Sequence, residues 1–328
     1  MPVQQTALTR ALGIEVPLIC GAMYPCSNPE LVAAASEAGA IGVVQPLSLT
    51  YVHGHDFREG LRYIRRLTRK PIGVNLIVEQ SSRKYLARVQ QWLEIALEEQ
   101  VTFLVTALGN PRWIVDRAGP AGVTVYHDVT ERKWAEKALD GGVDGFICVN
   151  NEAGGPAGRR SARQLLDEIG PLGKPLVCAG GIGTAAQFAG MLELGYAGAQ
   201  LGTRFIATDE CNVHDDYKQA ILRAQAADIV LTERLSGVPV SIINTPYIER
   251  TGTHAGPLAR WLLRQPRSKH FMRTLYSLQS VWKLKRAAGQ RPGYRDIFQA
   301  GKSVSGIEAV RPVAEVVAEF AAGLQHGN

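Results

Sequence analysis

Eight short apolar runs alternating with helix-spaced segments predict an α/β chain closed into a (β/α)8 TIM barrel, with a helical insertion after the eighth strand. Two further observations support the barrel. Near-continuous apolar strands indicate a parallel sheet covered on both faces. The first strand–helix turn also lacks the G-x-G-x-x-G that an open dinucleotide-binding sheet would carry.

The runs are Pro17–Cys20, Ile41–Val44, Ile72–Leu76, Phe103–Thr106, Val123–His127, Gly145–Val149, Leu176–Ala179 and Ala199–Gly202. Between them, Pro29–Ala38, Glu131–Leu139 and Ala185–Leu194 have helical spacing. Gly39, Gly142 and Gly195 follow helical segments and mark where each stops. After Arg204 strand alternation is lost, and Tyr217–Ala227, Leu258–Leu263 and Arg273–Ala287 read as helices. Pro312–Leu324 then reads as an amphipathic helix, with Val313, Val316, Val317 and Phe320 on one face. It suits the last outer-ring position. The expected division is a barrel of residues 1–211 and 300–328, with residues 212–299 as a helical substrate or lid domain over the mouth.

Hydrophobic residues make up 46% of the 328 and charged residues 20%, which fits a globular domain with a sizeable core. No apolar run reaches the roughly 18 residues of a membrane span. The N-terminus lacks a signal-peptide pattern, so a cytoplasmic protein without a membrane partner is expected. The five cysteines are odd in number and include no C-x-x-C, so reduced core thiols are expected in place of disulfides or zinc. Cys26 stands apart from these, in a loop beyond a strand.

The net charge is +6, and Arg250–Arg295 holds eleven Lys or Arg and no Asp or Glu. A solvated face is the simpler reading of that block. It carries no nucleic-acid-binding motif, and no nucleic-acid partner is expected. No G-x-S-x-G and no P-loop occur, and Gly301-Lys302-Ser303 resembles only the tail of the latter. His53, His55 and Asp56 match no metal-ligand spacing, and no metal site is expected.

Two glycine corners carry the functional reading. Ala179-Gly180-Gly181 closes the seventh run, and Gln200-Leu201-Gly202-Thr203 closes the eighth. Each precedes a helix, so bare N–H groups and a positive dipole end face one point, which suits a phosphate. Barrels commonly hold a cofactor phosphate after these two strands.

These corners, with Pro17-Leu18-Ile19-Cys20-Gly21-Ala22-Met23, Gly73-Val74-Asn75-Leu76 and Asn151-Glu152-Ala153-Gly154-Gly155, resemble the flavin-dependent nitronate monooxygenases, formerly 2-nitropropane dioxygenases. Flavin-dependent enoyl-acyl-carrier-protein reductases share the barrel. The resemblance runs from about Thr6 to Phe205 and again around Ala300–Val317. It implies bound FMN. Gly21, Ala22, Met23 and Asn75 would lie beside the ring, Gly154 and Gly155 beneath the flavin or its ribityl chain, and Ala179, Gly180, Gly181, Gln200, Leu201, Gly202 and Thr203 around the phosphate end. Asn75 read alone is equally a strand-end turn residue.

The chain departs from the family pattern where a histidine usually follows the glycine pair: here Pro156 stands. Proline has no titratable group, so acid–base work must come from elsewhere. The family's glutamine after the sixth strand aligns with Val149, for which Asn150 or Asn151 is a candidate substitute. His127, ending the fifth run, is the candidate catalytic residue, expected to face the mouth; a histidine bonded to a backbone group is the plainer alternative. His254 and His270 fall in the expected lid.

The resemblance implies oxidation of a small anionic substrate, most simply an alkyl nitronate, by O2 to a carbonyl compound and nitrite. NAD(P)H-dependent reduction of a quinone or enoyl thioester is the alternative, and ligand binding without turnover a third reading. A homodimer is the expected oligomer.

Overall fold

The computed structural model describes residues 5–79, 83–232, 239–253 and 297–324. Eight parallel strands close a barrel: β1 (Leu18–Cys20), β2 (Ile41–Val44), β3 (Ile72–Ile77), β4 (Phe103–Ala107), β5 (Thr124–Val129), β6 (Gly145–Val149), β8 (Leu176–Ala179) and β9 (Gly198–Leu201). β9 pairs back onto β1, with Gln200 opposite Ile19. Most ends match the apolar runs within a residue or two. β5 runs on two residues past His127, which changes the site.

Period-2 alternation sorts each strand into two layers. Ile19, Val43, Phe103, Val105, Tyr126, Ile147 and Val177 pack inside the barrel, which Leu8 and Leu12 of the N-terminal helix close from below. Leu18, Val74, Leu104, Val125, Val129, Phe146 and Cys178 pack outward against the helices. Phe103 and Tyr126 meet edge to face at 5.5 Å inside the barrel. A Cβ on Gly145 would overlap the Tyr126 ring, so glycine in β6 makes room for it.

The C-terminal helix, Val313–Gly323, buries Val313, Val316, Val317 and Phe320. Phe320 meets Phe188 of the Ala185–Leu194 helix at 5.6 Å, in the last outer-ring position. Arg204 supports this end from inside: its guanidinium donates to Ala207 O and Ala309 O at 2.7 and 2.9 Å.

The expected all-helical insertion is corrected. Its first helix spans Asp215–Arg223, and the chain then forms β10 (Ile229–Thr232) and β11 (Val240–Ile243). These pair antiparallel, and β11 pairs with β7 (Gly155–Pro156) beside the barrel mouth. β-Branched residues favour strands once a partner is present, and here the partner is distant in sequence. The expected helices Leu258–Leu263 and Arg273–Ala287, His254, His270 and all of the basic block beyond Thr253 up to Arg295 lie outside the described residues.

All five cysteines are free and buried. Among the described residues no side-chain cluster has the make-up of a metal site, and no helix is long and apolar enough to cross a membrane. Asp56 caps the Phe57–Leu67 helix through the Arg58 and Glu59 N–H groups, while His55 stacks on Tyr63, so this histidine–aspartate segment does not converge.

Candidate functional site

Inward-facing residues at the carboxyl ends of the eight strands form the floor of one cavity of about 620 Å³. β1, β2, β3 and β4 supply Gly21, Gln45, Asn75 and Ala107; β5, β6, β8 and β9 supply Asp128, Val149, Ala179 and Gln200. This is the barrel end at which active sites form. All fourteen candidate residues from Gly21 to Thr203 border this cavity. Among the described residues no Lys or Arg borders it.

The two glycine corners are adjacent because β8 and β9 are neighbours. They differ in state. At the β9 corner the turn Thr203–Ile206 begins on Gly202, and Phe205 and Ile206 N–H groups return to Gly202 O. The Thr203 and Arg204 N–H groups precede the first intrahelical bond and lack helical partners. Thr203 Oγ1 accepts the Gly301 N–H at 3.0 Å, so its hydroxyl proton remains available to a ligand.

At the β8 corner, Gly180 and Gly181 have φ of 119° and 80°. A Cβ on Gly180 would overlap Asn150 Oδ1 and the Ala153 backbone. A Cβ on Gly181 would fall on the Glu152 carboxylate. These glycines therefore admit the loop after β6 as well as facing the cavity. The N–H groups of Gly183 and Thr184 are taken by Gln187 Oε1 at 2.8 and 3.1 Å.

Asn150 does not stand in for the glutamine that Val149 replaces. Its Nδ2 donates to Gly180 O at 3.0 Å and its Oδ1 accepts the Glu152 N–H at 2.8 Å, clamping the loop to the corner. Asn151 is exposed. Asn75 lies in the cavity wall, with one N–H donated to Val105 O at 3.3 Å. Gln200 Oε1 is buried without a partner, and its side chain lies against Gly21, where a Cβ would meet Gln200 Cγ at 2.9 Å. Met23 Sδ lies beside Gly202.

His127 departs from its expected orientation. Tyr126 packs inside the barrel and Val125 and Val129 outside, so His127 shares the outer face of β5. Its Nδ1 is 2.8 Å from Thr106 Oγ1, whose hydroxyl also reaches Tyr126 O at 3.1 Å. If that hydroxyl donates to the carbonyl, Nδ1 carries the proton and donates to Thr106. Burial, with the Lys137 ammonium behind it, lowers the His127 pKa to about 4, so the ring stays neutral near pH 7. It borders the cavity from the outer layer, and the mouth position of β5 belongs to Asp128.

The sequence reading missed Asp128, Gln299 and Ser303, all of which border the cavity. Asp128 was masked by its neighbour: ending the strand at His127 assigned the mouth to the wrong parity. Ser303 belongs to the Gly301–Ser303 triplet that resembles a P-loop tail. The fold brings that triplet beside the β9 corner, with the Lys302 N–H on Glu152 O at 2.9 Å.

Residues 5–323 match the family model described as nitronate monooxygenase. A dehydrogenase of Rhodococcus jostii, named for (3aS,4S,5R,7aS)-5-hydroxy-7a-methyl-1-oxo-octahydro-1H-indene-4-carboxyl-CoA, is 28% identical over 263 residues, which are 79% of this chain and 72% of that protein. A nitronate monooxygenase of Paraburkholderia phytofirmans is 28% identical over 70% of this chain and 74% of its own. Among solved structures, FabK of Thermotoga maritima superposes with a TM-score of 0.81 at 26% identity, covering 98% of this chain and 96% of that one. With the match spanning nearly its whole length, the chain belongs to the nitronate monooxygenase family and is an oxidoreductase.

Proposed function

We propose that the chain is an FMN-dependent oxidoreductase that oxidises alkyl nitronates with O2 to a carbonyl compound and nitrite. One observation carries the reading: neighbouring corners at Gly180–Gly181 and Gly202–Thr203 open into the same cavity as Asn75, Gln200 and Met23. The fit to the cofactor rests on the donor set. Thr203 and Arg204 N–H groups and the Thr203 hydroxyl suit a single phosphate. The buried, unpartnered Gln200 Oε1 calls for a hydrogen-bond donor from whatever fills the cavity, and the edge of a flavin ring carries one. Glu152 lies beside Gly181, and its charge would favour a phosphate on the β9 side of the pair.

When bound, the flavin supplies the redox chemistry; the protein binds, orients and excludes water. Asn75 and Gln200 would hold the ring through their amides. Leu108 and Trp134 border the cavity yet are 57% and 44% exposed, an apolar rim for the alkyl part of a substrate. That rim also suits a bulky acyl thioester, the class named for the Rhodococcus jostii relative, and makes thioester redox chemistry the second reading.

The test is to purify the protein, release and identify any flavin, and mix it anaerobically with propionate 3-nitronate, NADH or NADPH. Retained FMN bleached by the nitronate, with nitrite formed under air, is the expected result. Bleaching by NAD(P)H alone would favour the thioester or quinone reading, and a protein that takes up no flavin would overturn both.

A further inference from the structure

Asp128 occupies a position that nothing in the proposed redox reaction uses. It is the inward-facing residue at the mouth of β5, and its side chain is part of the cavity wall. Its Oδ1 is buried and has no hydrogen-bond partner. A carboxylate oxygen buried without a donor is costly to keep charged, and such groups cluster at functional sites. The adjoining strands contribute Ala107 and Val149 to the cavity, neither titratable. The titratable side chains bordering the same cavity are Tyr24, Cys26, His127, Glu152 and Tyr217, and the Cys148 thiol lies behind on the outer face of β6. Residues Thr130 and Trp134, which follow β5, and Pro156 of β7 complete the wall without a charge.

From this geometry we infer that Asp128 is a catalytic base for a neutral carbon acid, taking the proton α to an electron-withdrawing group such as a nitro group. The inference rests on the reading of the cavity as an oxidoreductase site and extends its substrates from the anion to the uncharged parent. In the step, the Cα–H bond breaks, the proton passes to the Asp128 carboxylate, and the bonding pair moves into the C=N bond of the resulting nitronate. Nothing is oxidised or reduced in that step. The charge that leaves the carboxylate reappears on the nitronate, so the step leaves the net charge of the cavity unchanged. Burial raises the Asp128 pKa to about 7, so ionised and protonated forms coexist near neutrality, as suits a group that must take and return a proton.

The experiment compares wild type with Asp128→Asn, a near-isosteric change, on 2-nitropropane and on its separately prepared nitronate. Asp128→Asn should lower kcat/KM for the neutral nitroalkane at least about a hundredfold more than for the nitronate. The wild-type rise of kcat/KM with pH near 7 should vanish in the variant. A second readout is independent of turnover: wild type should wash the α-proton of 2-nitropropane into D2O, followed by NMR, and the variant should not. Equal losses on both substrates, or exchange that survives the substitution, would overturn the assignment. Should the protein oxidise neither substrate, the redox reading fails, while Asp128-dependent exchange still supports the base and its absence sinks it.

Discussion

His127 and Asp128 are chain neighbours whose side chains serve opposite faces of β5. The imidazole is held against Thr106 Oγ1 on the helix side, and the carboxyl lines the cavity. Both are driven toward neutrality by burial, which moves their pKa values in opposite directions, to about 4 and about 7.

That opposition sets the pH dependence of stability. An imidazole with a lowered folded pKa contributes stability that is complete above its unfolded value of about 6.5 and is lost as pH falls toward 4. A carboxyl with a raised folded pKa contributes stability complete below its unfolded value of about 3.9, lost as pH rises through 7. Asp128→Asn removes the second loss only. The melting temperature of the variant relative to wild type should therefore climb between pH 5 and pH 8, by roughly 2 °C or more, in thermal scans at matched flavin content. A difference independent of pH would mean the carboxyl is as well solvated in the fold as in the unfolded chain.

Gly202 has room for a methyl group, since a Cβ there meets Met23 Sδ at 3.4 Å. If FMN binds as proposed, Gly202→Ala should fold and keep it, whereas Gly202→Asp would set a carboxylate against the phosphate and should abolish retention. Flavin absorbance after gel filtration reads both variants. Normal flavin in a folded Gly202→Asp protein contradicts the phosphate position.

At Gly180 the demand is steric. An alanine would have to hold a φ of 119° while its Cβ displaced Asn150 and Ala153. Gly180→Ala should lower stability by about 2 kcal/mol or more, measured by urea unfolding of the flavin-free protein. The same loss from Asn150→Ala would identify the Asn150 clamp on Gly180 O as the partner constraint.

Glu152 brings a negative charge to the Gly181 corner, next to the site proposed for the flavin phosphate. Glu152→Gln should tighten FMN binding by roughly three- to tenfold at low salt, and by less as salt screens the repulsion. Fluorescence titration of flavin-free protein measures it.

The barrel was legible because its signal is local and repeated. Apolar runs such as Ile41–Val44 and Leu176–Ala179 are bounded by helices and glycine stops, and each is fixed by its own composition. The glycine corners were legible for the same reason. Asp128 was not, because facing follows from counting alternate residues along β5, and an error of one residue at the strand end exchanges the two sides. Nor was the β10–β11 hairpin, whose Ile229–Thr232 run becomes a strand only when Val240–Ile243 and Pro156 come alongside. In the sequence Pro156 shows only the absence of a titratable group, whereas in the fold it is an edge residue. A proline needs no ladder donor there.

That edge pairing makes the insertion and the pocket thermodynamically interdependent. Ser241 sits opposite Gly155, and Ile243 N–H donates to Phe298 O at 2.8 Å, next to Gln299 on the cavity wall. A guest resting on Gly154 and Gly155 must stiffen a hairpin that it never touches. Amide protons at Val230 and Ile242 should then report occupancy from a distance, exchanging more slowly with solvent whenever the mouth is filled.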